Sequence, residues 1–123
     1  MKAYAVVFLF CVAVSCRSDA QNSAINTSSR LFHSCQDSVR FMDNPQSPVE
    51  GSEYCLGYFS GFTDMLTMSP SPGICVADAR IGTLIRVYVA YMEKNPQHLD
   101  DHEILGVALA MKEPYSCTAK KPD

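Results

Sequence analysis

A chain of 123 residues, 47% hydrophobic and with a formal charge of −3, has room for one domain and no more. Its acidic balance argues against nucleic acid as a partner, because that role calls for a basic surface. Six cysteines in so short a chain make the compartment the first question, and the N-terminus addresses it.

Met1-Lys2 is a minimal basic start, and residues 3–14 form an unbroken apolar run. That run is too short to span a bilayer and suits the core of a signal peptide. Ser18 and Ala20 stand at the minus-three and minus-one positions before Gln21. We expect a signal peptide over 1–20 and a mature domain over 21–123. Ala13-Val14-Ser15-Cys16 offers a rival cut with the shape of a lipobox, which would lipidate Cys16 and tie the chain to a membrane. A lipobox usually prefers Leu where Ala13 stands.

From Gln21 onward eight Lys and Arg face twelve Asp and Glu, a net charge of −4. Cys11 and Cys16 leave with the signal, so Cys35, Cys55, Cys75 and Cys117 remain. Export implies an oxidising compartment, where an even set of four reads as two disulfides. No Cys-x-x-Cys occurs, which speaks against zinc and thioredoxin-like chemistry.

The rest of the chain reads as an all-α, compact four-helix domain. The first helix starts at Thr27 or Ser28 and runs to about Met42, with the stripe Leu31, Cys35, Val39 and Met42 at helical spacing. Asn44-Pro45 ends it. Ser47-Pro48-Val49-Glu50 is a capping box with Pro at the first helical position, so the second helix is expected from there to about Met68. Gly57 and Gly61 inside it each cost roughly 1 kcal/mol relative to Ala, which predicts close approach of another backbone. Tyr54, Tyr58, Phe59 and Phe62 cannot all face inward, so part of that set is expected as an exposed patch.

Ser69-Pro70-Ser71-Pro72-Gly73 breaks the chain into a loop. Asp78 is the expected N-cap of a third helix with the face Ile81, Leu84, Ile85, Tyr88, Val89 and Met92, ended by Asn95-Pro96. A fourth helix is expected from Leu99 to Asp101 onward, with apolar residues Ile104, Leu105, Ala108, Leu109 and Met111 and a stop at Pro114. In an antiparallel hairpin, residues equidistant from the turn lie opposite each other. Cys35 and Cys55 are centred on Pro45, and Cys75 and Cys117 on Pro96. The expected pairing is therefore Cys35–Cys55 and Cys75–Cys117, two stapled hairpins worth about 3 and 4 kcal/mol by chain entropy.

No catalytic constellation emerges. In Gly57-Tyr58-Phe59-Ser60-Gly61 the Ser is one place late for a nucleophile elbow and lies inside a helix. His98 and His102 are four apart and could share a helix face, with Asp101 or Glu103 beside them, yet the pair straddles a helix start where polar residues are ordinary. His33 and Asp37 read as an exposed i, i+4 pair. No metal, no cofactor and no enzymatic activity are expected.

Cys55-Leu56-Gly57-Tyr58-Phe59-Ser60-Gly61 resembles the Cys-x-Gly-Tyr-x-x-Gly helix of the Rap/Tai immunity family. The likeness runs on through Cys75, Leu84-Ile85-Arg86-Val87-Tyr88-Val89, Tyr91 to Pro96, Ala108-Leu109 and Cys117, and Cys35 matches the first-helix cysteine. Val76 and Ser116 stand where the family often has Pro. The resemblance implies a periplasmic immunity protein, commonly a homodimer, that inhibits a type VI secretion peptidoglycan amidase by blocking its cleft. Such an inhibitor needs a rigid scaffold and a protruding element. Ser69, Ser71 and Pro72, with the neighbouring Asp64 and Met68, are the expected partner-binding residues; the alternative is that this loop is a plain connector. The other functional readings are a periplasmic acid-protective chaperone and, behind it, a saposin-like lipid module.

Overall fold

The computed structural model describes residues 26–46 and 50–117. The expected signal peptide, its cut before Gln21 and the Cys16 lipobox lie outside the described residues, as do Ser47, Pro48 and Val49. Four helices follow in order: α1 Ser28–Asp43, α2 Ser52–Met68, α3 Ile81–Lys94 and α4 Glu103–Lys112. A single 3-10 turn, Pro96–His98, precedes α4. Among the described residues the only β pairings are two isolated bridges, Thr27 with His102 and Ile74 with Ser116. The all-α, four-helix expectation holds, and so does the disulfide pairing: Cys35–Cys55 and Cys75–Cys117 close with Cα separations of 5.0 and 5.1 Å.

Both α1 and α3 touch all the other helices, while α2 and α4 flank this central pair. The core forms where their apolar stripes meet. Leu31, Cys35, Cys55, Phe59, Leu84, Ile85, Tyr88, Val107 and Met111 are fully enclosed. Phe59 sets its ring edge against Tyr88 at 5.7 Å and against Phe62 at 6.3 Å, the geometry that aromatic quadrupoles favour. The stripe of α3 is buried as its spacing predicts, with Leu84, Ile85, Tyr88, Val89 and Met92 inside.

α2 begins at Ser52, later than its capping box suggests. Two serines of α1 account for this. The Ser34 hydroxyl donates to the Gly51 carbonyl and accepts from the Cys55 N–H at 3.0 Å, so it stands within the first turn of α2. The Ser38 hydroxyl donates to the Ser52 carbonyl at 3.0 Å and to the Ser34 carbonyl at 3.1 Å. A hydroxyl supplied by a packed neighbour serves this helix end, and the chain enters through Gly51 at φ 96°, a left-handed conformation that glycine adopts without strain.

Three further expectations are corrected. Arg80, not Asp78, is the N-cap of α3. Buried Val76 anchors a turn, closed by Ala79 N–H to Val76 C=O at 2.9 Å, that delays the helix. α4 starts at Glu103 and turns a different face inward: Gly106, Val107, Ala110 and Met111 are buried, while Ile104 and Leu105 are exposed. Gly106 fixes that rotation, because a Cβ there would run into Met92 and Ser28. Among the described residues Gly57 and Gly61 have no neighbour within 4 Å of an added Cβ, so the close backbone approach expected there is not seen.

Candidate partner-binding loop

The segment after α2 is a largely exposed loop that is clamped at its C-terminal end. α2 closes with Ser69 N–H bonded to Met65 C=O at 2.8 Å, and the chain leaves the helix there. Ser71-Pro72-Gly73-Ile74 then turns back, with Ile74 N–H 3.4 Å from Ser71 C=O and Gly73 at φ 105°. Pro at the second position and a positive-φ Gly at the third are what a type II turn requires. Beyond the turn, the Cys75 N–H donates to Tyr115 C=O at 2.8 Å and the Cys117 N–H to Gly73 C=O at 3.3 Å. The Cys75–Cys117 disulfide locks the same junction covalently. The end of the loop at Gly73 to Cys75 is therefore held by the C-terminal segment.

Of the five expected partner-binding residues, Asp64, Met68, Ser69 and Pro72 are exposed and Ser71 is half-buried. Met68 is 87% exposed, the most exposed large apolar side chain among the described residues. The structure places these five at one end of α2 and along the loop that follows. It also adds neighbours that the sequence reading missed: a groove of about 320 Å³ lined by Pro72, Gly73, Ile74, Ala108, Leu109 and Lys112. Loop and α4 are far apart in the chain, and no local spacing joins them.

The aromatic patch expected on α2 divides differently from the bare pattern. Phe59 and Phe62 are buried, and Tyr54 and Tyr58 are half-buried. The exposed apolar residues of that helix are Leu56, Met65 and Met68 instead. Behind Tyr54 lies a polar network that ties α1, α2 and α4 together. The Tyr54 hydroxyl donates to the Glu103 carboxylate at 2.5 Å, and the Arg30 guanidinium sits 4.3 Å from the Tyr54 ring centroid. Glu103 is only 4% exposed, and its N–H bonds to Asn26 C=O at 3.1 Å. The Tyr88 hydroxyl donates to Ser28 C=O at 3.1 Å. A carboxylate enclosed with a hydroxyl donor and a nearby cation is a satisfied structural group, not an open acid–base site.

Burial holds the Tyr54 hydroxyl in its neutral form and pushes it up to about 12, helped by its bond to Glu103. Tyr58 is also pushed up to about 12, by burial first and then by the Glu103 charge. These phenols keep their protons longer in the folded chain than in the unfolded one, where they titrate near 10. Stability conferred by the neutral form is therefore complete below about pH 10 and is lost as pH climbs towards about 12. Urea midpoints should be level through the neutral range and fall over that alkaline window, and the fall should shrink in Tyr54→Phe.

The remaining candidates do not assemble. His98 lies in the 3-10 turn, where its Nδ1 is 2.7 Å from an Asp101 carboxylate oxygen and its ring stacks on Tyr91 at 6.0 Å. His102 is the N-cap of α4, so the two histidines do not share one helix face. His33 is exposed, and Asp37 pairs with Arg40 in place of His33. Ser60 is exposed on α2. Among the described residues no group of three His, Cys, Asp or Glu side chains is placed to hold a metal.

Comparison with known proteins adds one match. The family model for Rap1a immunity proteins covers residues 27–117, from the start of α1 to the last cysteine. No curated protein and no solved structure matches the chain.

Proposed function

Because the chain belongs to the Rap1a immunity protein family, we propose that it works in the periplasm, as a homodimer, and inhibits a type VI secretion peptidoglycan amidase by setting the Ser69–Gly73 loop over the enzyme's cleft. Family membership carries the immunity role against a type VI effector and the expectation of an effector protein as partner. The amidase, the cleft and the loop are our reading. The observation that supports it most is the loop's construction: a base fixed by a disulfide and backbone bonds, and an exposed tip beside Met68. A tip held in one conformation loses little entropy on docking, which favours affinity. Two disulfides suit an oxidising compartment, and the signal peptide expected over 1–20 would deliver the chain there.

The test is an inhibition assay with the mature chain from Gln21 and a secreted Cys-His peptidoglycan amidase encoded beside its gene. Met68→Arg and Ser71→Arg should each raise the inhibition constant about 30-fold, the loss expected at an interface hot spot. Their melting temperatures should stay near that of the parent, because the Met68 side chain packs on little. Undiminished inhibition by both variants would remove the loop from the interface. A mature protein that inhibits no such amidase but protects unfolded clients at low pH would favour the chaperone reading.

A further inference from the structure

The two disulfides differ in what surrounds them and in what they join. Cys35 and Cys55 are completely enclosed and tie α1 to α2 inside the core. Cys75 and Cys117 are both exposed. Cys75 also borders a groove of about 420 Å³ lined by Ala77, Asp78, Arg80, Thr83 and Tyr115, so a reagent can reach the bond through solvent. Cys117 follows α4 and Pro114, and Cys75 stands at the exit of the Ser69–Gly73 loop. This bond therefore joins a chain end to a loop, not a helix to a helix. Beside it the two segments share the Cys75 N–H bond to Tyr115 C=O and the Cys117 N–H bond to Gly73 C=O. Hydrogen bonds at an exposed edge exchange readily with water, which leaves the covalent bond as the firm part of the clamp. The deeper anchors stand apart from it: Leu66 and Val76 are buried on either side of the loop, and Met111 is enclosed before the C-terminal segment.

We propose that Cys75–Cys117 is a thiol-exchange site, opened by a dithiol reductant, that sets how firmly the Ser69–Gly73 loop is held. One thiolate of the reductant attacks a sulfur of the bond and forms a mixed disulfide with it. The other cysteine leaves as a thiolate and takes up a proton. The second thiol of the reductant then displaces the first cysteine, which is protonated in turn. The chain gains two thiols, and the reductant, having supplied two electrons and two protons, becomes a disulfide. Cys35–Cys55 survives this treatment, because no thiolate reaches it unless α1 and α2 part. The helical core stays in place. The loop, now anchored only at Leu66 and Val76, gains conformations whose ordering weighs against docking.

The effect on inhibition rests on the loop's place in the reading above. The loosening itself does not, so the two can fail separately. The oxidised mature chain from Gln21 is titrated with dithiothreitol, with alkylation and peptide mapping at each step. Cys75 and Cys117 should be labelled at concentrations about 10-fold or more below those that open Cys35 and Cys55. In that state the helical circular dichroism should be unchanged. Amide hydrogen exchange should quicken about 10-fold or more at residues 73–75 and 115–117 and stay level from Leu84 to Val89. Inhibition of the amidase should weaken about 10-fold and recover on reoxidation. Cys75→Ser with Cys117→Ser should remain at the weakened level with or without the dithiol. Opening of both bonds at one dithiol concentration, loss of helical signal with the first labelling, or level exchange at residues 73–75 would overturn the proposal. Quickened exchange with undiminished inhibition would uphold the exchange site and remove the loop from the interface.

Discussion

Replacing both Cys35 and Cys55 by alanine should cost about 3–5 kcal/mol and lower the thermal midpoint by roughly 15–30 °C. Replacing Cys75 and Cys117 together should cost less. Chain entropy alone says the reverse, because the second bond spans 42 residues against 20 for the first. That difference in loop length is worth only about 0.7 kcal/mol. Burial acts the other way and is larger. Cys35 and Cys55 are completely enclosed between α1 and α2, so deleting their sulfurs also opens a cavity in the core, at about 1–2 kcal/mol. Cys75 and Cys117 are exposed, and their removal leaves no such hole. Circular dichroism melts of the two double variants decide between the terms, and a larger loss for Cys75 and Cys117 would make loop entropy dominant. Exposure also sets the order of reduction. Mild thiol followed by alkylation should label Cys75 and Cys117 first, because exchange requires a thiolate to reach the sulfur.

Alanine at three helical glycines should give results of opposite sign. Gly57→Ala and Gly61→Ala should each stabilise the isolated chain by about 0.5–1 kcal/mol, since open space surrounds both positions and the helix gains propensity. Gly106→Ala gains the same propensity and should still destabilise by about 1–3 kcal/mol. There the new methyl meets Ser28, a fully buried residue at the start of α1, as well as Met92. The end of Met92 can rotate away, but Ser28 is fixed by Tyr88 at its carbonyl and by Asp101 at its N–H. Overpacking therefore outweighs propensity at one site of the three. Chemical denaturation of the three single variants measures it, and a stabilised Gly106→Ala would mean that α4 shifts freely against α1.

The contrast shows which parts of this fold a sequence can carry. The stripe Ile81 to Met92 and the symmetric cysteine spacing are signals that a chain contains within itself, and both led to the structure. The faces of α4 could not be read that way. Its ten residues are apolar nearly all round, so periodicity selects no inward side, and the choice falls to Gly106 through residues far away in the chain. The start of α2 fails for a related reason. Ser47 to Glu50 is a sound local cap, but Ser34 and Ser38 lie on the buried side of α1 and offer hydroxyls to the same helix end. Two serines at i and i+4 on an otherwise apolar stripe were the available sign. Of the candidate site, the loop was legible from Ser69-Pro70-Ser71-Pro72-Gly73 alone. The groove beside it and the Tyr54–Glu103 bond were not, because each joins residues with no spacing relation.

The connectivity of the two disulfides bears on how the chain matures. Each cysteine is bonded to the next one along: 35 with 55, then 75 with 117. A chain that enters an oxidising compartment N-terminus first presents Cys35 and Cys55 as a complete couple before Cys75 arrives. An oxidase that joins thiols in their order of emergence then produces the native set directly. No earlier bond has to be broken to admit a later one, so maturation depends on a source of oxidant and not on a reshuffling catalyst.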